Sequence, residues 1–464
     1  MKIELAKTEI IHFVGIGGIG MSGLALIMRG MGFNVQGSDI SNNKNIERLK
    51  KNKIRISINH KKKNIRNATI LVISSAIKKN NPELIEAKKK QLPIYKRGEM
   101  LAHIVSLTKN IVVTGSHGKT TTTSLLAAIF SKTKLDPTII NGGVINELNN
   151  SAKLGKSDWC ILEADESDGS FIHVPTTYTI VTNIDREHMD FYKSMSDLKN
   201  LFLEFINKVP SFGKSFICID DKNNLELTKK IKIKNYYTYG TNPKSQFYIK
   251  NIKQEKEFSE YDLSITLPGK KDISINKIKI PLLGIHNIRN ATAAAAVAST
   301  IGISKKVIKK GLKEFKGVQR RFNKIFTYRE TSFYDDYAHH PTEIKEVLNG
   351  VRIAYKKNEI ICIFQPHRIS RLKDLKKEFS LSFRKADTVI LCPVYVAGEK
   401  MKLGFNYNNF AKDIIKNSNV KLFLVDDQYE LAKFIKNNIY GKKIVIGMGA
   451  GTISTWMKEL PKLI

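Results

Sequence analysis

The sequence is short of long apolar runs, of cysteine and of acidic residues, and each shortage closes off a class of protein. Nowhere among its 464 residues do about 18 apolar side chains follow one another, so no membrane span is expected. The stretch from Met1 to Phe13 lacks an apolar core followed by a small-residue cleavage site, which argues against a secretory signal and for the cytoplasm. Only four cysteines occur, Cys160, Cys218, Cys362 and Cys392, each inside an apolar strand-like run and none in a CxxC or Cys/His spacing. They read as buried, reduced packing residues. No internal repeat and no long low-complexity segment is present.

Asp and Glu number 43 against 77 Lys and Arg, a formal charge of +34. Such an excess invites a nucleic-acid reading. The lysines, however, fall in short runs such as Lys61 to Lys63 and Lys88 to Lys90, and no basic stripe is interleaved with aromatics as single-strand binders require. A solvated lysine-rich surface, helped by polyanionic substrates, accounts for the charge. No nucleic-acid partner is expected.

A chain of 464 residues, 42% of them hydrophobic, needs more than one core. At roughly 100–200 residues per domain, three domains are expected. The first segment reads strand (Ile10 to Val14), glycine turn (Gly15 to Gly20), helix (Met21 to Arg29) and strand (Phe33 to Gly37) ending at Asp39, with apolar runs at Ile70 to Ile73 and around Ile94. A second unit starts at Asn110, with a strand to Thr114, a glycine turn, a helix through Phe130, and strands at Trp159 to Glu163 and Thr179 to Asn183. The stretch from Phe247 to Ile280 alternates as hairpins do, which implies an antiparallel addition and a mixed sheet. A third unit begins near Arg320, with strands at Ile360 to Phe364, Thr388 to Cys392, Val420 to Val425 and Lys443 to Ile446. The alternation of strands and helices makes the fold class α/β.

The strongest motif is Thr114-Gly-Ser-His-Gly-Lys-Thr120, between a strand and a helix. Its glycines let backbone N–H groups close around phosphate oxygens, Lys119 adds a point charge, and the Thr120 hydroxyl can reach Mg²⁺. Two residues, not the four of an ordinary P-loop, separate Gly115 from Gly118. Glu163 ends a strand in Glu163-Ala-Asp-Glu-Ser-Asp168, and Asp185-Arg-Glu-His-Met-Asp190 follows another. Open parallel sheets bind ligands at that edge, so Glu163 and His188 beside the loop make a plausible Mg²⁺ site. Gly15-Ile-Gly-Gly-Ile-Gly20, with Asp39 about twenty residues on, resembles a dinucleotide fingerprint. An NAD-dependent oxidoreductase would leave the Lys119 loop unexplained, whereas a diphosphate sugar nucleotide accommodates both loops.

Later clusters extend the pattern. Gly284-Ile-His-Asn-Ile-Arg-Asn290 precedes an Ala-rich helix, and Gln319-Arg-Arg-Phe322 opens the third unit. In Asp335-Asp-Tyr-Ala-His-His-Pro-Thr342, Pro341 suits a helix start, which puts Asp336, His339 and His340 on the loop before it. Gln365-Pro-His-Arg-Ile-Ser-Arg371 follows an apolar strand, and its arginines, three apart, can grip a carboxylate or phosphate together.

Taken in order, the segments GIGGIGM, GSHGKTTTT, EADESDGSF, EHMD, GIHNIRNA, QRRF, DDYAHHPTE and FQPHRISR make the chain resemble the Mur ligase family over nearly its whole length. The resemblance implies a Rossmann-like sugar-nucleotide domain (1–108), a central P-loop-type ATPase domain with a mixed sheet (109–318) and a Rossmann-like C-terminal domain (319–464). It implies ATP, UDP-N-acetylmuramate and L-alanine as substrates, joined into an amide for peptidoglycan precursors; murein tripeptide in place of alanine is the alternative. Gly17, Gly18, Ile19, Gly20, Met21, Asp39, Ser74 and Ser75 would hold the UDP-sugar. Gly115, Ser116, His117, Gly118, Lys119, Thr120, Thr121, His286, Asn287, Asn290, Arg321 and Asp336 would bind ATP. Thr120, Glu163 and His188 would hold Mg²⁺ (two ions), and Lys119, Glu163, His188 and Arg321 would serve catalysis. His340, Arg368 and Arg371 would take the amino acid. Ser116, Gly169 and Glu187 stand where the family usually has Thr, Ala and Asp. Several sister ligases align a second metal with a carbamylated lysine; the equivalent stretch around Leu203 has none in that place, although Lys199 and Lys208 are near.

Overall fold

The computed structural model describes residues 9–106, 108–232, 235–399 and 405–464. Met1 to Thr8, part of the stretch read above for a signal, lies outside them. Each of the three sheets is built around apolar runs that need burial on both faces, as parallel strands do. The first carries β1 (Ile10–Val14), β2 (Asn34–Asp39), β3 (Arg55–Ile58), β4 (Ile70–Ile73) and β5 (Ile94–Lys96) in the order β3-β2-β1-β4-β5, all parallel. Its helices are α1 (Ile19–Gly30), α2 (Lys44–Lys51), α3 (Pro82–Lys89) and α4 (Arg97–Val105). Their starts are set locally. The Asn43 side chain accepts from Asn45 and Ile46 N–H to begin α2, and Asn81 with Pro82 begins α3 in the same way.

The second sheet starts with β6 (Lys109–Thr114), followed by α5 (Lys119–Phe130), β7 (Thr138–Ile145), β8 (Asn150–Lys153), β9 (Trp159–Glu163) and β10 (Tyr178–Val181). Next come α6 (Met195–Asn207), β11 (Lys214–Cys218), α7 (Lys222–Thr228) and β12 (Tyr236–Gly240). Then β13 (Phe247–Gln254), β14 (Ser259–Ile265) and β15 (Ile273–Ile280) precede α8 (Ile285–Thr300) and α9 (Lys305–Lys313). The strand order is β15-β14-β13-β12-β11-β10-β6-β9-β7-β8, and the antiparallel β7–β8 pair makes the sheet mixed. The stretch expected to form hairpins is three consecutive strands laid side by side at one edge.

The third sheet contains β16 (Asn323–Tyr328), β17 (Thr331–Asp336), β18 (Ile360–Phe364), β19 (Thr388–Leu391), β20 (Lys421–Leu424) and β21 (Ile444–Met448), ordered β16-β17-β21-β18-β19-β20. Only β16 pairs antiparallel. The helices are α10 (Pro341–Ala354), α11 (Ile369–Asp374), α12 (Lys376–Leu381), α13 (Tyr407–Ser418), α14 (Gln428–Asn438) and α15 (Ile453–Leu463). Alternate residues of β18 feed opposite cores: Ile360, Cys362 and Phe364 pack on one face, Ile361 and Ile363 on the other. All four cysteines are buried and free, as read from their apolar surroundings. Among the described residues no helix is long and apolar enough to cross a membrane.

Chain contacts gather the described residues into two compact units. One comprises Met1–Ile252, Tyr261–Ile280 and Arg289–Lys316; the other comprises Lys253–Glu260, Pro281–Ile288 and Gly317–Ile464. Within the first unit, α1 lies against β7 and β8, and a single apolar cluster runs from Phe13, Leu24 and Met28 to Ala152, Leu162 and Phe202. The first two sheets therefore share one core.

Helix α5, which leaves the second glycine loop, is itself held from behind by α9. The approach is so close that a Cβ at Gly311 would stand 2.5 Å from Ile129 Cα and 2.9 Å from Ala128 O. Helix propensity alone favours Ala over Gly by about 1 kcal/mol, but overpacking against backbone costs about 1–3 kcal/mol. Gly311→Ala is expected to lower the chemical-denaturation midpoint; a midpoint at or above the parent's would show that α9 yields freely.

Candidate active site

Every loop singled out by its glycines leaves the carboxyl end of a parallel strand, where backbone N–H groups point outward. After β6, Gly115 and Gly118 take φ of +125° and +84°, which side chains rarely adopt, and bracket the turn into α5. A Cβ on Gly118 would come within 2.6 Å of the Asn290 side chain, so Asn290 does lie against the loop. The turn is pinned from β10. Ser116 N–H donates to Asn183 O at 3.0 Å, His117 N–H to Asn183 Oδ1 at 2.9 Å, and the Thr182 hydroxyl to His117 O at 2.7 Å. Ser116 Oγ accepts from Asp185 N–H at 2.8 Å, and the His117 ring stands 3.0 Å from Asp185 Oδ2. Thr121 is buried on α5 one residue beyond Thr120.

Lys119 Nζ donates to Gly115 O at 2.7 Å and forms a 2.7 Å ion pair with Glu166 Oε2, which is buried. Burial opposes the charge on Lys119, but Glu166, Asp165 and Glu163 outweigh it and hold the ammonium above its ordinary value. Burial pushes the Glu166 carboxyl up to about 7, against the pull of Lys119. Glu163 sits alongside, accepting from the Thr120 hydroxyl at 3.2 Å and from Gly142 N–H at 2.8 Å. His188, in a left-handed turn at φ +58°, presents Nε2 3.7 Å from Glu166 Oε1 and groups with Asp165 and Glu166 within 4.8 Å. The structure thus joins Thr120 to Glu163, and His188 to Asp165 and Glu166. Glu166 appeared in the motif without a role; its place in a run of acids gave no cue that it alone would be sealed against Lys119.

At the first loop, Gly15 (φ +81°) and Ile16 donate to Ser38 O, and Gly17 N–H donates to Asp39 Oδ2 at 2.8 Å. Asp39 clamps the loop's own amide. Gly18 and Ile19 are exposed, Gly20 is partly covered, and Ser74 packs under Gly15 while Ser75 is exposed. Met21 points into the core, so its side chain supports the loop from beneath.

In the second unit Asp336 is the last residue of β17, not a member of the following loop, because its side chain is buried and ties the β16 start to the strand end. Its Oδ2 accepts from Phe322 N–H and its Oδ1 from Ala338 N–H, each at 2.8 Å. Burial raises this carboxyl to about 6, against the pull of Arg321. Arg321 lies over the Tyr337 ring, 4.0 Å from Glu343. His340 is the N-cap of α10, its Nδ1 accepting from Thr342 N–H, while His339 stands in the loop. His286 lies 3.7 Å from Glu346, and Asn287 donates to Leu283 O. Arg368 caps α11 at φ +68°, and Arg371 Nη1 reaches His367 Nδ1 at 3.5 Å. Burial first, then His339, Arg371 and Arg368, push the His367 imidazole down to about 3, so it stays neutral beside the arginines.

The ion pair predicts a rescue. Glu166→Gln leaves the partly buried Lys119 ammonium without its paired carboxylate, which is expected to cost about 3 kcal/mol of stability. Added ATP or pyrophosphate supplies the missing anion and is expected to restore much of it in a denaturant titration. A variant as stable as the parent, or one that polyphosphate does not rescue, would remove Lys119 as the phosphate contact.

The chain matches three family models: "Mur ligase family, catalytic domain" over residues 10–109, "Mur ligase middle domain" over 113–298 and "Mur ligase, glutamate ligase domain" over 320–451. It is 83% identical to a UDP-N-acetylmuramate–L-alanine ligase of Pelagibacter ubique over 464 residues, the whole of both chains. It is 42% identical to a protein of the same name from Bartonella bacilliformis, over all of this chain and 97% of that one. The crystal structure of a UDP-N-acetylmuramate–alanine ligase from Thermotoga maritima superposes with a TM-score of 0.82 at 26% identity, covering 97% of this chain and 98% of that one. A three-domain α/β arrangement, the phosphate loop with its ring of acids, and kinship along the full length converge: the chain belongs to the Mur ligase family.

Proposed function

We propose that this chain joins L-alanine to the lactyl carboxylate of UDP-N-acetylmuramate in the cytoplasm, with ATP as phosphoryl donor, in peptidoglycan precursor synthesis. The observation that carries the reading is the Lys119 phosphate loop set in a chain 83% identical, end to end, to a protein of that activity's name. Residues 1–108 take the sugar nucleotide, 109–318 ATP and 319–464 the amino acid. Backbone N–H groups of Gly115 to Thr121 and the α5 N-terminus receive the phosphates, and Lys119 turns from Glu166 to the phosphoryl oxygens. The γ-phosphoryl passes to the carboxylate oxygen as the bond to ADP breaks. The alanine amine then attacks the acyl carbon, loses a proton, and phosphate departs. Positioning and charge neutralisation carry such steps.

Thr120, Glu163, Asp165, Glu166 and His188 suit Mg²⁺: most are hard oxygen donors, and Glu166 Oε1 is buried with no hydrogen-bond partner among the described residues. When bound, Mg²⁺ supplies positive charge to the phosphoryl oxygens. Asn290, His286 and Asn287 are assigned to the adenine side, and Arg321 with Asp336 to the phosphates. Arg368 and Arg371 are assigned to the alanine carboxylate, with His340 nearby, and the first loop with Asp39, Ser74 and Ser75 to the UDP portion.

Phosphate release from ATP and UDP-N-acetylmuramate, measured with L-alanine, glycine, L-serine and murein tripeptide in turn, tests the reading. Alanine should be the best acceptor and glycine and serine weak ones, since a methyl or hydroxyl discriminates by only about 1–3 kcal/mol. Release driven best by the tripeptide would assign the chain to precursor recycling instead. Lys119→Ala or Glu163→Ala should cut turnover roughly a hundredfold or more, a loss of about 3 kcal/mol; near-normal rates would displace the centre. Arg371→Lys keeps the charge but loses the planar fork. It should raise the alanine KM roughly 10- to 100-fold while leaving the sugar-nucleotide KM alone; the reverse pattern would reassign the arginine pair.

A further inference from the structure

Arg97 has been given no role, yet its side chain lies between Gly20 of the first glycine loop and Asp165, an acid beside the second. It is the first residue of α4, whose start is fixed by the Glu99 carboxylate accepting from Lys96 N–H at 2.8 Å. From there the side chain runs across Gly20, so that a Cβ on that glycine would stand 3.2 Å from Arg97 Cδ and 3.3 Å from Nη1. Gly20 lies just inside α1, beyond the amides of Gly17 and Gly18 at the helix mouth. On its other side, Nη2 of the guanidinium lies 3.8 Å from Asp165 Oδ2. Asp165 adjoins Glu166, which is bound to Lys119. A path of charged groups therefore links the first loop to the phosphate loop.

The charges along that path are unequally matched. Lys119 is held at 2.7 Å by a buried carboxylate. Arg97 has only Asp165, at a separation too long for a hydrogen bond, and its side chain is 27% exposed. Among the described residues its guanidinium closes no hydrogen bond, so its fork of donors is open to an incoming anion. The Asp165 carboxylate faces the guanidinium from the side of the second loop and gives it a direction.

The acceptor brings two kinds of negative charge. Its diphosphate is met by backbone N–H groups at the mouth of α1, which need no side-chain cation. Its lactyl carboxylate must lie further along, toward Lys119, where the phosphoryl group arrives. We propose that Arg97 binds this carboxylate, taking it from the side of Gly20 and presenting it to the phosphate loop. The assignment rests on the ligase reading above. A guanidinium matches a carboxylate with two parallel N–H donors, which fixes the direction of the attacking oxygen.

Binding of UDP-N-acetylmuramate and of UDP, which lacks the lactyl group, is to be measured by calorimetry on the full chain, the parent beside Arg97→Ala and Arg97→Lys. Both variants should keep the parent's melting temperature, because a partly exposed, loose ion pair contributes little to stability. Arg97→Ala should weaken UDP-N-acetylmuramate roughly 10- to 100-fold and leave UDP within twofold, with the KM for ATP unchanged. Arg97→Lys should recover little of the loss, since the fork is missing. An equal loss for both ligands would place Arg97 on the diphosphate and overturn the assignment, as would no loss for either. If the parent releases no alanine-dependent phosphate and binds no UDP-N-acetylmuramate, the ligase reading falls and takes this assignment with it. A parent that is active, with variants that bind as it does, sinks the Arg97 role alone.

Discussion

A partly buried ammonium and a buried carboxylate, Lys119 and Glu166, face each other 2.7 Å apart, and the surrounding loops are built to hold that pair. Neither charge can be left alone at such depth without a cost of several kcal/mol. The pair is therefore enclosed by groups that share it. Gly115 O and Ser116 O accept from the ammonium, the Tyr192 hydroxyl donates to the Glu166 carbonyl, and Asp165 and Glu163 add negative potential nearby. The glycine turn exists to bring those carbonyls round. Asn183 and Thr182 at the end of β10 exist, in the same sense, to hold the turn. Such a pair does little for stability. On the proposed reading, its value lies in storing a cation for an incoming phosphate.

Much of this was legible in the chain. The strands Ile10–Val14, Ile70–Ile73, Trp159–Glu163 and Ile360–Phe364 have the limits read for them, because a parallel strand buried on both faces is an uninterrupted apolar run. The glycine turns were legible for the opposite reason: few residues but glycine accept the dihedral angles found at Gly115 and Gly118. Thr120 and Glu163 meet because Thr120 opens α5 just after β6, while Glu163 ends the neighbouring strand β9.

The remainder hid where composition is locally uniform. The β16–β17 pair was not read, since Asn323–Tyr328 is only half covered and mixes polar with apolar residues. Asp336 looked like a loop residue because nothing in a pair of aspartates announces that one will be buried as a brace between Phe322 and Ala338. Glu166 was one acid among several, and Arg97 one cation in a strongly basic chain. The helix after the first loop begins at Ile19, before Met21, with Gly18 at its N-cap and Gly20 inside it where Arg97 passes. Contacts of that kind depend on which backbone passes close to which, and no local pattern records it.

The close fit of α1 on the β7–β8 pair has a mechanical consequence. A Cβ at Gly23 would lie 3.2 Å from Ala152 Cβ, and one at Gly30 only 2.9 Å from Leu154 Cδ2. The helix carrying the first glycine loop thus packs closely on the sheet that carries the second, its glycines admitting Ala152 and Leu154. The two loops therefore stand on elements that share one apolar cluster, and a chain severed between the first two sheets would bare Met28, Ala152 and Phe171 along a single seam, leaving neither half a finished surface.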